Sequence, residues 1–220
     1  MSSCVQFAYV TGGASVNHGA GANLNITGAL TIDAWLSFMT NPSASMSAIV
    51  LHGINTGYYF VILSVGGVYK VGFNKAGVLS YYSALALVQP GKKHHVAIVW
   101  NGVNNTFFYV DGILRDTWVN AGAIIGEVAN SYVSYPDRDW GYKGCIFNLN
   151  IYNRALTATE ILYNKEHPNN AIRQGRQLGV TQESIVGGVW KDLSPNGYDG
   201  TFVATTIGQT NNLAGRNVSL

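Results

Sequence analysis

Short segments in which apolar and polar residues alternate follow one another along most of this 220-residue chain. A period of two is typical of β-strands that bury one face, because successive side chains point to opposite sides of a sheet. Gly, Asn and Asp separate the segments and favour turns. The segments interpreted as strands span residues 5–10, 30–38, 48–52, 58–65, 68–73, 78–84, 94–100, 106–110, 113–119 and 142–152. This pattern predicts an all-β domain made of two packed sheets.

Two turns and one helix complete the predicted elements. Asn-Gly at residues 101–102 and Asp-Gly at residues 111–112 are hairpin turn signals, and Asp-Gly favours the tight type I′ turn, so residues 94–119 are predicted to form an antiparallel meander. One short helix is predicted at residues 157–166, where Thr157 and Glu160 form a capping box. Pro168 follows this segment and ends the helix, because proline disfavours the helical conformation in the residue before it.

Composition limits the possible partners. Charged residues make up 11% of the chain and the formal net charge is +2, which is too small to direct the protein to nucleic acid. No stretch approaches the ~20 apolar residues of a membrane span. The first ten residues lack the basic start and apolar core of a secretory signal. We therefore expect no nucleic-acid partner and no membrane insertion.

Three segments resemble the concanavalin A-like, laminin-G-like jelly-roll family. They are GALTIDAWLSF (28–38), KKHHVAIVWNGVNNTFFYVDGIL (92–114) and GCIFNLNIYNRALTATEI (144–161). The resemblance covers about residues 5–166 and implies a two-sheet antiparallel jelly-roll sandwich. It implies much less about function, because members of this family serve as sugar binders, adhesion modules, enzyme appendages and viral surface proteins.

The resemblance predicts that the chain is divided into three parts. Residues 1–166 form the jelly roll, 167–186 a linker, and 187–220 a segment that packs on the same or a neighbouring sandwich. The last segment contains an Asp-x-Ser-x-Asn-Gly-x-Asp-Gly-Thr pattern that precedes the first strand in relatives. The apolar residues expected to anchor it are Val189, Trp190, Leu193, Tyr198 and Phe202.

The resemblance also bears on the two cysteines and on metals. It places the first and last strands side by side, with Val5 and Cys145 facing the core, so that Cys4 points the other way. A disulfide needs converging Cβ atoms, and we therefore predict free thiols. Where relatives carry an acidic pair this chain has Phe147 and Asn148, which argues against calcium because calcium needs several anionic oxygens. We expect no metal and no cofactor.

Contact residues are predicted in the loop before the last long strand. Flat rings and polar side chains occur there together, as they do where proteins meet sugars or other proteins. A purely structural role is the alternative, because a tryptophan at a loop end often packs over a sandwich edge. The predicted contact residues are Tyr135, Asp137, Arg138, Asp139, Trp140 and Tyr142.

The acidic and histidine residues of the chain do not favour catalysis. In an extended segment Asp137 and Asp139 would lie about 6.5–7 Å apart, which is within the range for inverting glycosidases. An exposed loop, however, does not desolvate a carboxyl group enough to keep it protonated. His94 and His95 point to opposite faces of their strand and so cannot bind one ion. We predict no catalytic residue.

These observations favour a non-catalytic contact module. The first interpretation is a virion structural protein, such as a phage capsid decoration or a tail-associated component, made in the host cytoplasm. The alternative is a lectin-like module that binds cell-surface glycans outside the cell, and a glycoside hydrolase ranks third. The expected partners are other proteins of an assembly, including copies of this chain, and a surface glycan.

Overall fold

The computed structural model describes residues 4–7, 14–39, 46–53, 56–75, 78–83, 88–119, 122–135, 140–203 and 207–209. In these residues the strands, numbered in chain order, are β1 (Val5–Phe7), β2 (Ser15–Asn17), β3 (Leu30–Phe38), β4 (Met46–His52), β5 (Tyr58–Val65), β6 (Val68–Lys75), β7 (Val78–Tyr82), β8 (Lys93–Trp100), β9 (Asn105–Val110), β10 (Ile113–Val119), β11 (Ser131–Val133), β12 (Gly144–Tyr152), β13 (Arg176–Thr181), β14 (Ile185–Val186), β15 (Val189–Trp190), β16 (Gly200–Val203) and β17 (Ile207–Gln209).

The strands form two antiparallel sheets. One has eight strands in the order β10-β9-β8-β3-β12-β1-β17, with β13 also paired to β12. The other has nine strands in the order β14-β15-β16-β2-β11-β4-β5-β6-β7. Their facing sides bury one large apolar core, which includes Phe60, Trp100 and Ile146. The predicted all-β sandwich of two antiparallel sheets is confirmed.

One α-helix, α1 (Ala158–Glu166), lies where the capping box predicted it. The Glu160 backbone N–H donates to Thr157 Oγ1, and the Thr157 backbone N–H donates to the Glu160 carboxylate at 2.9 Å. Two short 3-10 helices span Ala22–Leu24 and Gln182–Ser184. Within the described residues, no helix has both the length and the apolar character needed to cross a bilayer.

The hairpin between β9 and β10 has the predicted turn. Asp111 and Gly112 both adopt positive φ, at 54° and 79°, as the two central residues of a type I′ turn require. Asp111 is one of two described non-glycine residues in this region, and its side chain accepts a hydrogen bond from the His95 backbone N–H at 3.0 Å. The turn therefore joins adjacent strands of the eight-stranded sheet with the expected geometry.

A β-bulge interrupts the alternation of β12. The register with β3 shifts between Ile146 and Asn148, so that Phe147 is an extra residue on this strand. Ile146 faces the core before the bulge and Leu149 faces it afterwards, whereas Cys145 lies on the outer side. The uninterrupted alternation expected from the sequence is therefore wrong at this point.

The prediction of free thiols is wrong for this reason. Cys4 and Cys145 form a disulfide, with a Cα–Cα distance of 5.5 Å. Cys145 pairs with Gln6 across β1 and β12, and Cys4 lies two residues from Gln6 on the same face. Both side chains therefore leave the outer side of the sheet as a diagonal cross-strand pair, within reach of each other.

The C-terminal segment packs on the same sandwich. β16 pairs with β2 and β17 pairs with β1, so the last two strands complete the two sheets beside the first two. Trp190 is fully buried, and its indole N–H donates to the Thr181 carbonyl at 2.7 Å. Val189, Tyr198 and Phe202 are half-buried.

Two expectations about this part of the chain do not hold. Leu193 is 47% exposed and is not an anchor, because its backbone carries the contacts, through its N–H to the Gly179 carbonyl. Residues 167–186 are not simply a linker, since β13 lies within them and pairs with the end of β12. The division into a domain of residues 1–166 and an added segment stays a prediction.

Candidate functional site

The loop that follows β11 is fixed to β4 at both of its ends. Ser134 has a φ of 65° and turns the chain, and its backbone N–H donates to the Ile49 carbonyl at 2.9 Å. At the other end, the Ala48 N–H donates to the Trp140 carbonyl at 2.7 Å. Ser134 Oγ also accepts the Tyr142 N–H at 2.8 Å. These bonds place Tyr135 and Trp140 against the nine-stranded sheet.

The surface beneath this loop is the outer face of β4 and β5. Tyr58, Phe60 and Ile62 of β5 face the core, so the residues between them point outward. A register shift in β4 between Ala48 and Val50 puts Ala48 outward as well, opposite Val61. These outward residues form a second apolar cluster, separate from the core, that also includes Leu51.

A shallow apolar depression opens between this face and the loop. The described residues that line it are Met46, Ala48, Leu51, Tyr59, Val61, Tyr135 and Trp140. We refer to it as the outer-face depression. It has a volume of about 50 Å³. Its floor is closed, because Ala48, Leu51 and Val61 are each at most 5% exposed, whereas Trp140 at its rim is 38% exposed.

Aromatic rings form one wall of the outer-face depression. The ring centres of Tyr135 and Trp140 lie 6.4 Å apart and the rings are inclined by 32°. Burial raises the pKa of Tyr59 to about 12, with smaller contributions from Glu127 and Tyr135. The Tyr59 hydroxyl therefore stays neutral at physiological pH.

The structure separates the predicted contact residues. Tyr135 and Trp140 come together in the outer-face depression, but the ring of Tyr142 is 1% exposed and packs edge-on against Phe7 in the core. Tyr142 follows the loop's return to the sheet, which explains why it does not face solvent. Asp137, Arg138 and Asp139 lie outside the described residues.

Sequence reasoning missed the floor of the depression. Ala48 and Leu51 come from β4, and Tyr59 and Val61 from β5, far from the loop in sequence. One signal was present: β5 reads YYFVILSV, which is apolar on both faces. A strand of this kind is covered on both sides, and here the second cover is the loop that carries Trp140.

A serine–histidine pair elsewhere in the fold is structural. His52 Nε2 donates to the Glu127 carbonyl at 2.9 Å, and Nδ1 therefore accepts the Ser131 hydroxyl at 2.7 Å. Both side chains are at most 2% exposed, so no substrate can reach the serine. Burial also lowers the pKa of His52. The pair ties β4 to β11.

The most perturbed buried carboxyl group lies on the opposite sheet. Asp33 of β3 is 1% exposed and accepts hydrogen bonds from the side-chain amides of Asn150 and Asn164. Burial raises its pKa to about 6, and the two amides oppose that shift. Helix α1 covers this group, so it is a structural element beneath the helix. Among the described residues, no three His, Cys, Asp or Glu side chains are grouped as a metal site would require.

Comparison with known proteins identifies the family. A model of the concanavalin A-like lectin/glucanases superfamily matches residues 10–162, well over half of the chain. The chain belongs to this superfamily. The match ends inside α1 and includes none of the strands β13 to β17. No curated protein matches the sequence.

Solved structures of this superfamily's fold resemble the chain closely in shape. A proposed carbohydrate-binding protein from Bacteroides ovatus superposes with a TM-score of 0.71 at 15% identity, over 100% of this chain and 62% of that protein. A heptameric pentraxin from Limulus polyphemus gives 0.60 at 15% identity, over 78% and 84%. Domain 4 of an extracellular arabinanase from Geobacillus stearothermophilus, in complex with arabinotriose, gives 0.55 at 15% identity, over 72% and 80%.

At these identities the likeness establishes the fold and not the ligand. The chain spans less than two thirds of the Bacteroides ovatus protein. Two of the three structures nevertheless concern carbohydrate, one by its description and one by its bound arabinotriose. The superfamily thus offers a sandwich on which sugar sites are built, and any site of this chain has to be argued from its own residues.

Proposed function

We propose that this protein is a non-catalytic carbohydrate-binding module that uses the outer-face depression as its site. The observation that supports this most is the aromatic wall over a closed apolar floor. Trp140 presents a partly exposed flat ring, and Tyr135 supports it from below. A pyranose has an apolar face of C–H groups, which such a ring can cover while the sugar hydroxyls stay in water.

The anchoring of the loop at its two described ends supports the same proposal. Both of its ends are hydrogen-bonded to β4 through Ser134 and Trp140. A ring held in place before the ligand arrives loses little conformational entropy on binding. Pre-formed concave sites are the usual form of small-ligand sites, and the outer-face depression is concave with an aromatic rim.

Binding without hydrolysis is part of the proposal. A glycosidase needs two carboxyl groups on opposite sides of the bond to be cleaved. Of the described carboxylates, Glu127 accepts hydrogen bonds from the Thr56 N–H and hydroxyl, and Asp33 lies beneath α1 on the other sheet. Like these two, the other described carboxylates do not line the outer-face depression. We expect no release of reducing ends from β-glucans, galactans or chitin.

An extracellular location fits the proposal better than a virion. The disulfide between Cys4 and Cys145 is typical of proteins that work in oxidising surroundings, and the similar arabinanase is extracellular. The similar structures offer no support for a capsid or tail component. Self-association stays a prediction, for which the heptameric pentraxin is a precedent in this fold.

The proposal is tested by glycan-array binding followed by calorimetric titration of the best ligand. We expect Trp140→Ala to weaken binding at least tenfold, as for a central aromatic contact. Leu162→Ala is the matched control, because Leu162 is 41% exposed on α1, beyond the other sheet. If the wild-type protein binds no glycan, or if Trp140→Ala binds as well as the control, the proposal is wrong.

A further inference from the structure

A row of outward-facing side chains leads away from the outer-face depression across the nine-stranded sheet. Tyr132 of β11 pairs with Leu51 of β4, which belongs to the floor of the depression. On its other side Tyr132 pairs with Asn17 of β2, and Asn17 pairs with Thr201 of β16. Cross-strand partners lie on the same face of a sheet, so these side chains form one line perpendicular to the strands. We refer to Tyr132, Asn17 and Thr201 as the outer-face row.

The outer-face row is turned away from the core. Each member has a neighbour along its strand that packs in the core, and these neighbours are Val133, Val16 and Phe202. Because successive side chains of a strand point to opposite faces, the members of the row point outward. Thr201 is exposed, and Tyr132 and Asn17 are half-buried. The row is therefore a surface that a ligand can contact beside the depression.

The row combines an aromatic ring with neutral polar groups. Tyr132 packs on the same apolar cluster that forms the floor of the depression. The Asn17 side-chain carbonyl accepts the Gly19 N–H at 2.8 Å, so the NH2 group is the donor of this side chain. Thr201 adds a hydroxyl group. A sugar has both an apolar C–H face and hydroxyl groups, and it can use a ring and polar side chains together.

The length of the row determines the size of the ligand. The strand order β16-β2-β11-β4 places Thr201 three strands away from Leu51. Neighbouring strands lie about 4.8 Å apart, so the row ends about 14 Å from the floor of the depression. One sugar ring at Trp140 cannot reach across this distance. Only a chain of linked sugars can contact the depression and the whole row together.

We propose that the protein binds a neutral oligosaccharide chain, with one sugar at Trp140 and the following sugars along the outer-face row. This inference rests on the carbohydrate-binding function proposed above. It adds the ligand class: oligosaccharides are bound in preference to the monosaccharides of which they are made. The row carries no charge, and neither do the described residues that line the depression, which agrees with a neutral ligand.

The first test compares chain lengths on the wild-type protein. Cello-, xylo-, arabino- and chito-oligosaccharides are titrated calorimetrically, and each series begins with its monosaccharide. In the series that binds, we expect the affinity to rise at least about tenfold between the monosaccharide and the trisaccharide, as for one further aromatic contact. The affinity should then level off where the row ends. If the array identifies a different glycan, its own fragments of increasing length take the place of these series.

The second test removes the ring of the row. Tyr132→Ala should abolish the gain in affinity with chain length and leave monosaccharide binding, which depends on Trp140, unchanged. Tyr163→Ala is the matched control and should keep the gain. Tyr163 is also half-buried, but it lies on α1, and its hydroxyl likewise accepts an asparagine amide, from Asn170 at 3.3 Å compared with Asn130 at 3.2 Å for Tyr132.

A milder change tests the far end of the row and replaces Tyr132→Ala if that variant does not fold. Thr201→Val keeps the branched shape of the side chain and removes its hydroxyl group. It should weaken the binding of the longest chains about threefold to tenfold, as for the loss of one hydrogen bond, and leave shorter chains unaffected. Thr117→Val, at an exposed position of β10 in the other sheet, is its control. Unchanged binding of the longest chains by Thr201→Val would argue against the row.

Each outcome decides one level of the argument. Monosaccharides that bind as tightly as longer chains overturn this inference and leave the proposed function intact. A folded Tyr132→Ala protein that keeps the gain with chain length also overturns it, as does one that loses monosaccharide binding to the same degree. Binding of no sugar at all removes the proposed function and this inference with it.

Discussion

The two outer faces of the sandwich are covered in different ways. On the eight-stranded sheet, helix α1 packs through Ile161 on an apolar patch that includes Ala97 and Tyr152, and a polar network lies beside that patch. On the nine-stranded sheet, Tyr135 and Trp140 of the loop after β11 pack on a similar apolar patch, and the outer-face depression lies beside them. The same kind of surface is thus closed on one side and partly open on the other.

The closed face shows how this chain completes the burial of a surface. Asn164 of α1 donates to the Asp33 carboxylate and to the Tyr152 hydroxyl, and its carbonyl accepts the Ile172 N–H at 2.8 Å. Every polar group in this network is paired, which makes its burial tolerable. The described residues that line the outer-face depression are apolar or aromatic and carry no charge.

The largest effect is expected from the disulfide, which lies on the outer side of the eight-stranded sheet. It joins residues 141 positions apart, and cross-links that close long loops stabilise most in the chain-entropy model. Cys4→Ser combined with Cys145→Ser should lower the unfolding free energy by about 3–5 kcal/mol. Urea unfolding measures this, and mass spectrometry of the wild-type protein should show the loss of two protons.

A change below about 1 kcal/mol would contradict this prediction. Reduction of the wild-type protein provides a second measurement, since it should reproduce the effect of the double variant. Sugar binding should persist in the reduced protein at temperatures where it stays folded, because neither cysteine lines the outer-face depression.

Asn164→Ala is the next largest perturbation of the closed face. It removes the hydrogen bonds that Asn164 makes to Asp33 Oδ2 and to the Ile172 N–H, while Asp33 Oδ1 keeps its bond from Asn150, so we expect a loss of about 3 kcal/mol in unfolding free energy. Asn170→Ala is the control, because Asn170 is exposed and its side-chain amide only reaches the Tyr163 hydroxyl at 3.3 Å. The control should stay within about 0.5 kcal/mol of the wild-type protein. If Asn164→Ala and Asn170→Ala lowered the unfolding free energy equally, the hydrogen bonds of Asn164 would not be what holds α1 on the sheet.

Asp33, beneath helix α1, should also make the unfolding free energy depend on pH. The pKa of Asp33 is raised to about 6, above the ~3.9 of an unfolded chain, so the folded state holds this proton more tightly. The contribution of protonated Asp33 to the unfolding free energy is complete below about pH 4 and is lost as the pH rises through about 6. Its size is about 2–3 kcal/mol, at ~1.4 kcal/mol for each pKa unit.

Three buried histidines act in the opposite direction. Burial lowers the pKa of His18, His52 and His95, so they make the folded state more stable as pH rises towards neutrality. The Asp33 contribution is therefore isolated as the difference between the wild-type protein and Asp33→Asn, measured by chemical unfolding from pH 4 to 7. That difference should fall with rising pH, and a flat difference would refute the assignment.

Much of the fold could be predicted from sequence because long strands repeat their pattern often enough to be recognised. β3, β5 and β10 have the predicted bounds. The three-residue strands β2 and β11 are too short to show a period. The bulge at Phe147 leaves no local signal either, since Cys145, Phe147 and Leu149 read as one unbroken alternation. The single error at Phe147 caused the wrong prediction for the cysteines.

The candidate site was predictable only in its loop. Trp140 and Tyr135 stand close together in the sequence, among turn residues. The floor depends on the order β11-β4-β5 in the nine-stranded sheet, which brings Ala48 and Val61 beneath a loop about 80 residues further along the chain. Strand order of this kind is set by the packing of the whole domain, and no local pattern encodes it.

The smallest effect on stability is expected at the outer-face depression. It is measured best by comparing an exposed and a buried tryptophan of the nine-stranded sheet. Trp140→Ala should lower the unfolding free energy by only about 1 kcal/mol, because Trp140 is 38% exposed. Trp190→Ala, the same substitution at a fully buried ring of the same sheet, should cost about 3–5 kcal/mol. Thermal and urea unfolding of both variants measure the difference. If Trp140→Ala proved as destabilising as Trp190→Ala, the Trp140 ring would be part of the structural core, and any loss of sugar binding in that variant would reflect a damaged fold. A small cost combined with lost binding assigns the Trp140 ring to the ligand.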